Sequence, residues 1–287
     1  LRTCRLPVVD LAAENATAQL ASACSNFGFQ CIINHGVDIE CKRSVQSLES
    51  FFREGSPECK HSVRRKECGY GPGLQLTEHM KAERYDTVEG SYGTYAREDY
   101  VIVNPEIAAH KERQDPYYSG PAGELWFGDG INRFPDDAFR DAQLAHYRAL
   151  EGLGERLMRL AGEALVSDAG AFAHVTRRHT SNVVVGYHVE GVGAPGGAQT
   201  MVSEHSDTGL MTLIQYGSNG MSGLEVKDRV TGEWLLVDPR DWPEGALLLN
   251  IGDSMHRLSN GRFLSTPHRV IDRTPAGVGK PDRLALI

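Results

Sequence analysis

Glu204-His-Ser-Asp-Thr-Gly-Leu-Met-Thr-Leu-Ile-Gln215 joins a polar opening to a run of β-forming residues, and its reading governs the second half of the chain. Similar short runs recur around it: Val183 to Tyr187, Met211 to Tyr216, Gly223 to Val226, Trp234 to Val237, Ala246 to Ile251 and Leu284 to Ile287. Gly, Asp, Asn and Pro separate them at the intervals of an antiparallel barrel or jelly roll. Immediately upstream, Phe139, Leu144, Tyr147, Leu150, Leu153, Leu157, Leu160 and Leu165 recur every three or four residues, which predicts one long helix from Asp136 to Val166. Further back the pattern weakens. Residues 53–135 are polar and rich in Gly, Pro and Tyr, and are expected to form loops and short strands. The chain opens with a strand at Leu6-Pro-Val-Val-Asp10, helical spacing from Leu11 to Asn26, and a second strand at Phe29-Gln-Cys-Ile-Ile33 that turns at Asn34-His-Gly36. The expected fold is mainly β with supporting helices. It divides into residues 1–135 as an α/β opening, residues 136–170 as the long helix, and residues 180–287 as the β core of one compact unit.

Composition narrows the function classes. With 40% hydrophobic residues and 24% charged among 287, the chain can bury a substantial core. Its net charge of -8 sets it against nucleic acid and anionic membrane surfaces. No run approaches the roughly 18 apolar residues of a membrane span, and the opening residues lack a signal-peptide layout, so a cytoplasmic protein is expected. Cys4, Cys24, Cys31, Cys41, Cys59 and Cys68 include no Cys-x-x-Cys pair, which argues for reduced thiols and against a zinc ribbon.

Two motifs are decoys. Gly191-Val-Gly193-Ala-Pro-Gly196 fits a dinucleotide fingerprint, but a helix must follow those glycines to hold a pyrophosphate, and Thr200 to Tyr216 is β-like. Gly252-Asp-Ser254 looks like the serine block of one hydrolase class, yet it sits late in the chain with only His256 and His268 after it. Asn250, Asp253 and Ser254 read as turn and strand-pairing residues.

The chemistry concentrates at His205-Ser-Asp207. Residues two apart on a strand face the same side, so an imidazole and a carboxylate would stand together there. His268 follows Ser265-Thr-Pro267 at the mouth of another β segment. Two histidines and one carboxylate can cap one face of an octahedral metal and leave three positions open, the donor set of non-haem Fe(II) oxygenases. His-x-acid alone is weak evidence, since 11 histidines and 38 acids would give roughly 1.5 such pairs by chance. His110-Lys-Glu112 and His188-Val-Glu190 are the other two, and what distinguishes His205 is its surroundings, the strand Leu210-Met-Thr-Leu-Ile-Gln215 and then a distal histidine.

Together with Gly223-Leu-Glu-Val226, Trp234, Asn250-Ile-Gly-Asp253, Leu258-Ser-Asn-Gly261 and Ser265-Thr-Pro-His-Arg-Val270, the His205 stretch resembles the isopenicillin N synthase-like branch of the Fe(II)/2-oxoglutarate-dependent dioxygenases. Leu6 to Asp10, Phe27 to Gly36 and Asn132-Arg-Phe-Pro135 resemble that branch too, so the likeness spans nearly the whole chain in order. The resemblance implies a double-stranded β-helix, a distorted, cupin-like jelly roll, with the N-terminal region packed around it. It implies that His205, Asp207 and His268 bind Fe(II), that O2 is consumed, and that Arg283 holds the far carboxylate of 2-oxoglutarate. A guanidinium suits that carboxylate because it offers a planar two-point match. The family pairs this arginine with a serine two residues on, where this chain has Ala285. It also places a tyrosine near the co-substrate in an Asn-x-Tyr motif, which falls on Tyr187, with Val185 and His188 replacing the asparagine and the following proline.

The implied reaction is oxidation of a small organic molecule, by hydroxylation, desaturation or ring closure, with release of succinate and CO2. Ala285, Val185 and His188 leave room for a second reading, an oxidase of the same fold that uses no 2-oxoglutarate or draws on ascorbate. A third is a non-catalytic metal-binding module. The partner expected is a small-molecule substrate, held by a monomer. In this branch the variable stretch before the long helix walls the pocket, so the tyrosines from Tyr85 to Tyr118 suggest an aromatic lining.

Overall fold

The computed structural model describes residues 2–63, 69–71, 97–112, 114–120, 131–193, 196–220, 223–238 and 242–287. Its strands, in chain order, are β1 (Arg2–Cys4), β2 (Val8–Asp10), β3 (Phe29–Ile33), β4 (Gly69–Gly71), β5 (Arg97–Val103), β6 (Asn182–His188), β7 (Gly191–Val192), β8 (Gln199–His205), β9 (Met211–Tyr216), β10 (Leu224–Lys227), β11 (Trp234–Val237), β12 (Leu247–Ile251), β13 (His268–Asp272), β14 (Gly279–Lys280) and β15 (Arg283–Leu286). Eight of them form one sheet in the order β2-β3-β12-β9-β15-β6-β5-β4, and five form another in the order β1-β11-β10-β13-β8. Phe29, Cys31, Ile214 and Leu248 from the first sheet pack against Leu224, Val226, Leu235 and Val237 from the second. The two sheets therefore enclose a common interior, the jelly-roll arrangement expected from the spacing of the β runs.

The other face of the large sheet is covered by helices. Helix Asp137–Val166 starts where the Asp136 side chain accepts the Phe139 N–H at 2.7 Å and stops at Ser167, whose φ of 59° ends the spiral. Its buried stripe of Leu153, Leu157, Met158, Ala161 and Leu165 meets Leu20, Ala23 and Cys24 of helix Ala16–Asn26 together with Ile32, Leu249 and Ile251 of the sheet. Truncating the fully buried Leu157 to Ala should cost about 2–5 kcal/mol. Helix Asp38–Glu54, which the sequence reading leaves unassigned, sets Val45, Leu48, Phe51 and Phe52 against Tyr100, Val185, Tyr187 and Leu284.

Register identifies which side chains face inward, because directly paired residues on neighbouring strands share a face. Ala285 pairs with Tyr216, an interior residue, whereas Leu286 pairs with Gln215 on the helical side. Arg283 and Ala285 therefore face the interior, and Leu284 and Leu286 face the helices. On β6, His188 pairs with Arg283 and Gly186 with Ala285, so these two also face inward.

Two expectations change. The first helix begins at Ala16 rather than Leu11, because Asp10 turns the chain by accepting the Ala12 N–H at 2.9 Å through its side chain. The described parts of residues 53–135 hold helices Pro57–Ser62, Ile107–Glu112 and Pro116–Ser119 besides strands. Tyr100 and Tyr118 are fully buried, Tyr117 is exposed, and Tyr85, Tyr92, Tyr95 and Cys68 lie outside the described residues. The five described cysteines are free thiols. After Gly191 comes a short ribbon of β7 with β14, then strand β8, so no helix follows the glycines. No described helix is long and apolar enough to cross a membrane.

Candidate metal centre and the interior charge cluster

β8 ends at His205 and β13 begins at His268, and antiparallel pairing makes these two residues direct partners. Their rings lie 4.2 Å apart between centroids, tilted by 53°, and the edge of Phe29 packs on His268. In each ring Nδ1 faces a backbone carbonyl, Ser203 at 2.9 Å and Thr266 at 3.1 Å. A carbonyl can only accept, so Nδ1 carries the proton and Nε2 presents its lone pair.

Asp207 arrives by another route than the sequence suggests. It lies beyond the end of β8, so a loop brings it to the histidines, in place of the pleat of one strand. Its Oδ2 accepts from Thr212 Oγ1 at 2.5 Å and from Asn250 Nδ2 at 2.8 Å. Thr212 and Asn250 are cross-strand partners of β9 and β12 on the interior face, which is why both reach one oxygen. Oδ1 is left facing His205 Nε2 at 3.5 Å and His268 Nε2 at 3.7 Å. One ligand atom from each of the three residues lies within 4.8 Å of the others.

The loop is braced from below. Asp253 N–H donates to the Asp207 carbonyl at 2.7 Å, and the Asp253 carboxylate accepts from Ser206 at 3.0 Å and from Ser265 at 2.6 Å. Ser254 donates its hydroxyl proton to the Thr208 carbonyl at 2.6 Å, a bracing role that leaves no sign of a nucleophile. Gly252 must be glycine, since a Cβ there would stand 2.3 Å from the Gly209 carbonyl oxygen. Asn250, expected as a strand-pairing residue, and Thr212, whose role no motif signals, both anchor the acidic ligand.

Burial opposes charge on Asp207, yet His205, His268, Asn250 and Thr212 outweigh it and hold the carboxyl well below the usual range. Burial, helped by His205, lowers the pKa of His268, against the pull of Asp207. At neutral pH the group is thus one carboxylate and a neutral His268, ready to ligate. Two imidazole nitrogens and one carboxylate oxygen with the remaining atoms tied back suit a divalent iron that keeps open positions.

Farther along the interior face of β13 lies a charge cluster. Asp272 Oδ2 takes Lys280 Nζ at 2.5 Å, Oδ1 takes the Thr274 N–H and hydroxyl at 2.9 and 2.7 Å, and Arg283 Nη2 stands 3.7 Å from Oδ1. Burial works against the Asp272 charge, and the Lys280 and Thr274 bonds prevail, keeping its pKa below the ordinary value. Ala285 faces the same interior beside Arg283 and brings no hydroxyl.

Tyr187 is the misplaced residue. It pairs with Leu284 on the helix-facing side, stacks on Phe52 at 4.7 Å between centroids, and spends its phenol on Asp282, itself paired with Arg53. Burial first, then Asp282, pushes its pKa up to about 12. It is a packing and anchoring residue, and the inward positions on its strand are Gly186 and His188.

Residues 180–285 match the model of the 2OG-Fe(II) oxygenase superfamily, and residues 6–112 match that of the non-haem dioxygenase in morphine synthesis N-terminal region. The chain is 26% identical over 288 residues to the 2-oxoglutarate-dependent dioxygenase citB of Monascus ruber, covering 93% of this chain and 80% of that protein. It is 24% identical to gibberellin 2-beta-dioxygenase 3 of Arabidopsis thaliana, over 98% and 74% of the two chains. Among solved structures, a full-length Neurospora crassa protein in complex with alpha-KG superposes with a TM-score of 0.69 at 19% identity, covering 98% of this chain and 82% of that one. The 2-oxoglutarate complex of AtDAO1, the dioxygenase for auxin oxidation 1 from Arabidopsis thaliana, gives 0.65 at 19% identity over 98% and 90%.

Proposed function

The chain belongs to the Fe(II)/2-oxoglutarate-dependent dioxygenase superfamily, in its isopenicillin N synthase-like branch, and on that premise we propose how its residues divide the work. His205, Asp207 and His268 hold Fe(II); Arg283 holds the far carboxylate of 2-oxoglutarate; the substrate is a small organic molecule. The observation that carries this reading is the convergence of two Nε2 atoms and one Oδ1, each with its opposite atom already bonded elsewhere. Bound iron would supply the activation of O2, with the keto acid as electron donor and succinate and CO2 as products.

The protein's part is positional. Thr212 and Asn250 fix one oxygen of Asp207 so that the other ligates singly, which keeps coordination positions open for keto acid and O2. The two Nδ1–carbonyl bonds fix ring orientation. Residues 180–287 carry this machinery, and residues 1–135 wall the substrate space. The substrate is oxidised by hydroxylation, desaturation or ring closure according to how it is held. A cytosolic monomer accompanies this reading.

Ala285 favours one competitor, an oxidase that dispenses with 2-oxoglutarate, since the hydroxyl that would share the carboxylate with Arg283 is missing. Incubation of the iron-loaded protein with 2-oxoglutarate and O2 separates the two. Succinate formed in step with O2 uptake, and absent with Asp207→Ala, is the expected outcome; O2 uptake without succinate would overturn the proposal.

A further inference from the structure

The cluster at Asp272 bears on how a second carboxylate is recognised, and the argument rests on the 2-oxoglutarate reading above. Asp272 and Lys280 are almost fully buried, with side chains 3% and 8% exposed, and Arg283 is 18% exposed. Lys280 reaches Asp272 from β14, a ribbon outside both main sheets, while Asp272 stands on the same face of β13 as His268. Four residues of strand set those two about 13 Å apart at the Cα atoms, enough for a keto acid and a guanidinium in line.

A carboxylate beside Arg283 is a liability in a site that must attract another carboxylate. Asp272 orients the guanidinium but offsets its charge, and a dicarboxylate would then meet a nearly neutral pair. Lys280 cancels Asp272. Thr274 occupies Oδ1 with two donors, consistent with an Arg283 that stays 3.7 Å away, beyond hydrogen-bond length. With Ala285 giving no hydroxyl, selection for the second carboxylate falls on charge.

We propose that Lys280 and Asp272 are positioning residues for Arg283, Asp272 orienting the guanidinium and Lys280 neutralising Asp272 so that Arg283 keeps its attraction for the far carboxylate of the co-substrate. Neither residue touches the reacting atoms.

The test is anaerobic calorimetric titration of the Fe(II)-loaded protein with 2-oxoglutarate and with 2-oxopentanoate, the same five-carbon keto acid without the far carboxylate. Lys280→Met should weaken 2-oxoglutarate about ten-fold and leave 2-oxopentanoate unchanged. Lys280→Met combined with Asp272→Asn should recover most of the loss, since the charge that Lys280 neutralises is gone. The double variant leaves no buried charge unpaired at these two positions, so it gives a result even if the single variant fails to fold. Equal weakening of both acids, or a double variant that binds 2-oxoglutarate no better than the single, would overturn the proposal while leaving the co-substrate reading intact. Wild-type protein that binds both acids equally would overturn the co-substrate reading and this proposal with it.

Discussion

At the metal end of the interior, each of His205, Asp207 and His268 has the atom turned away from the metal position bonded to a named partner. At the end proposed to hold the far carboxylate, Arg283 Nη2 stands 3.7 Å from Asp272, whose other oxygen is bonded to Lys280 from a separate ribbon. The difference follows from the physics of the two ligands. Metal coordination is short and directional, so a displaced carboxylate oxygen cannot be replaced by charge elsewhere. A carboxylate is held by a field as well as by bonds, so one partner can be lost when another cation compensates. On the proposed assignment the first end is specified atom by atom, whereas the second would tolerate a substitution such as Ala285.

Asp207→Ala would test the atom-by-atom end most severely. It should abolish Fe(II) binding and turnover while circular dichroism and thermal unfolding report an intact fold; a variant that still binds iron would mean the triad does not define the centre. Arg283→Ala comes next. Losing a charge-assisted bidentate partner costs about 2–3 kcal/mol, so 2-oxoglutarate affinity should fall roughly 100-fold with Fe(II) affinity unchanged. A parallel loss of Fe(II) would show that the two ends are not separable. Asn250→Ala removes one of two donors on Asp207 Oδ2 and should lower metal affinity about ten-fold, read by competition with a chelator. No change would leave Thr212 as the sole necessary anchor. The smallest effect belongs to Ala285→Ser, where a new hydroxyl should tighten 2-oxoglutarate by about 1 kcal/mol, a few-fold in calorimetry. If it does nothing, the Lys280 pair already supplies what the serine would.

The same contrast governs how much of the fold and the site is legible in the sequence. The β runs from Val183 to Leu286 and the long helix were legible because burial imposes a period of 2 or 3.6 on their residues. The triad was legible because two histidines and a carboxylate form a donor set that suits iron, and because the motifs around them resemble a known family in order. Thr212 and Asn250 were not, because they meet Asp207 only through the register of β9 against β12, which single-strand patterns leave open. Tyr187 shows the cost of a one-residue slip: on a strand, the neighbouring position faces the opposite side. Helix Asp38–Glu54 escaped notice because its apolar face alternates with charged residues and Ser44 and Glu49 are buried on it. Lys280 and Asp272 carry no motif; their pairing depends on where a two-residue ribbon lands.

The most direct measurement is anaerobic titration of metal-free protein with Fe(II) and then 2-oxoglutarate, following the weak visible absorption of an iron-chelated keto acid, with Asp207→Ala beside it. The band should grow on addition of 2-oxoglutarate to the iron-loaded protein and be absent from the variant. Iron bound by the wild-type chain with no band at saturating 2-oxoglutarate would contradict the assignment of His205, Asp207, His268 and Arg283 to one co-substrate-binding centre.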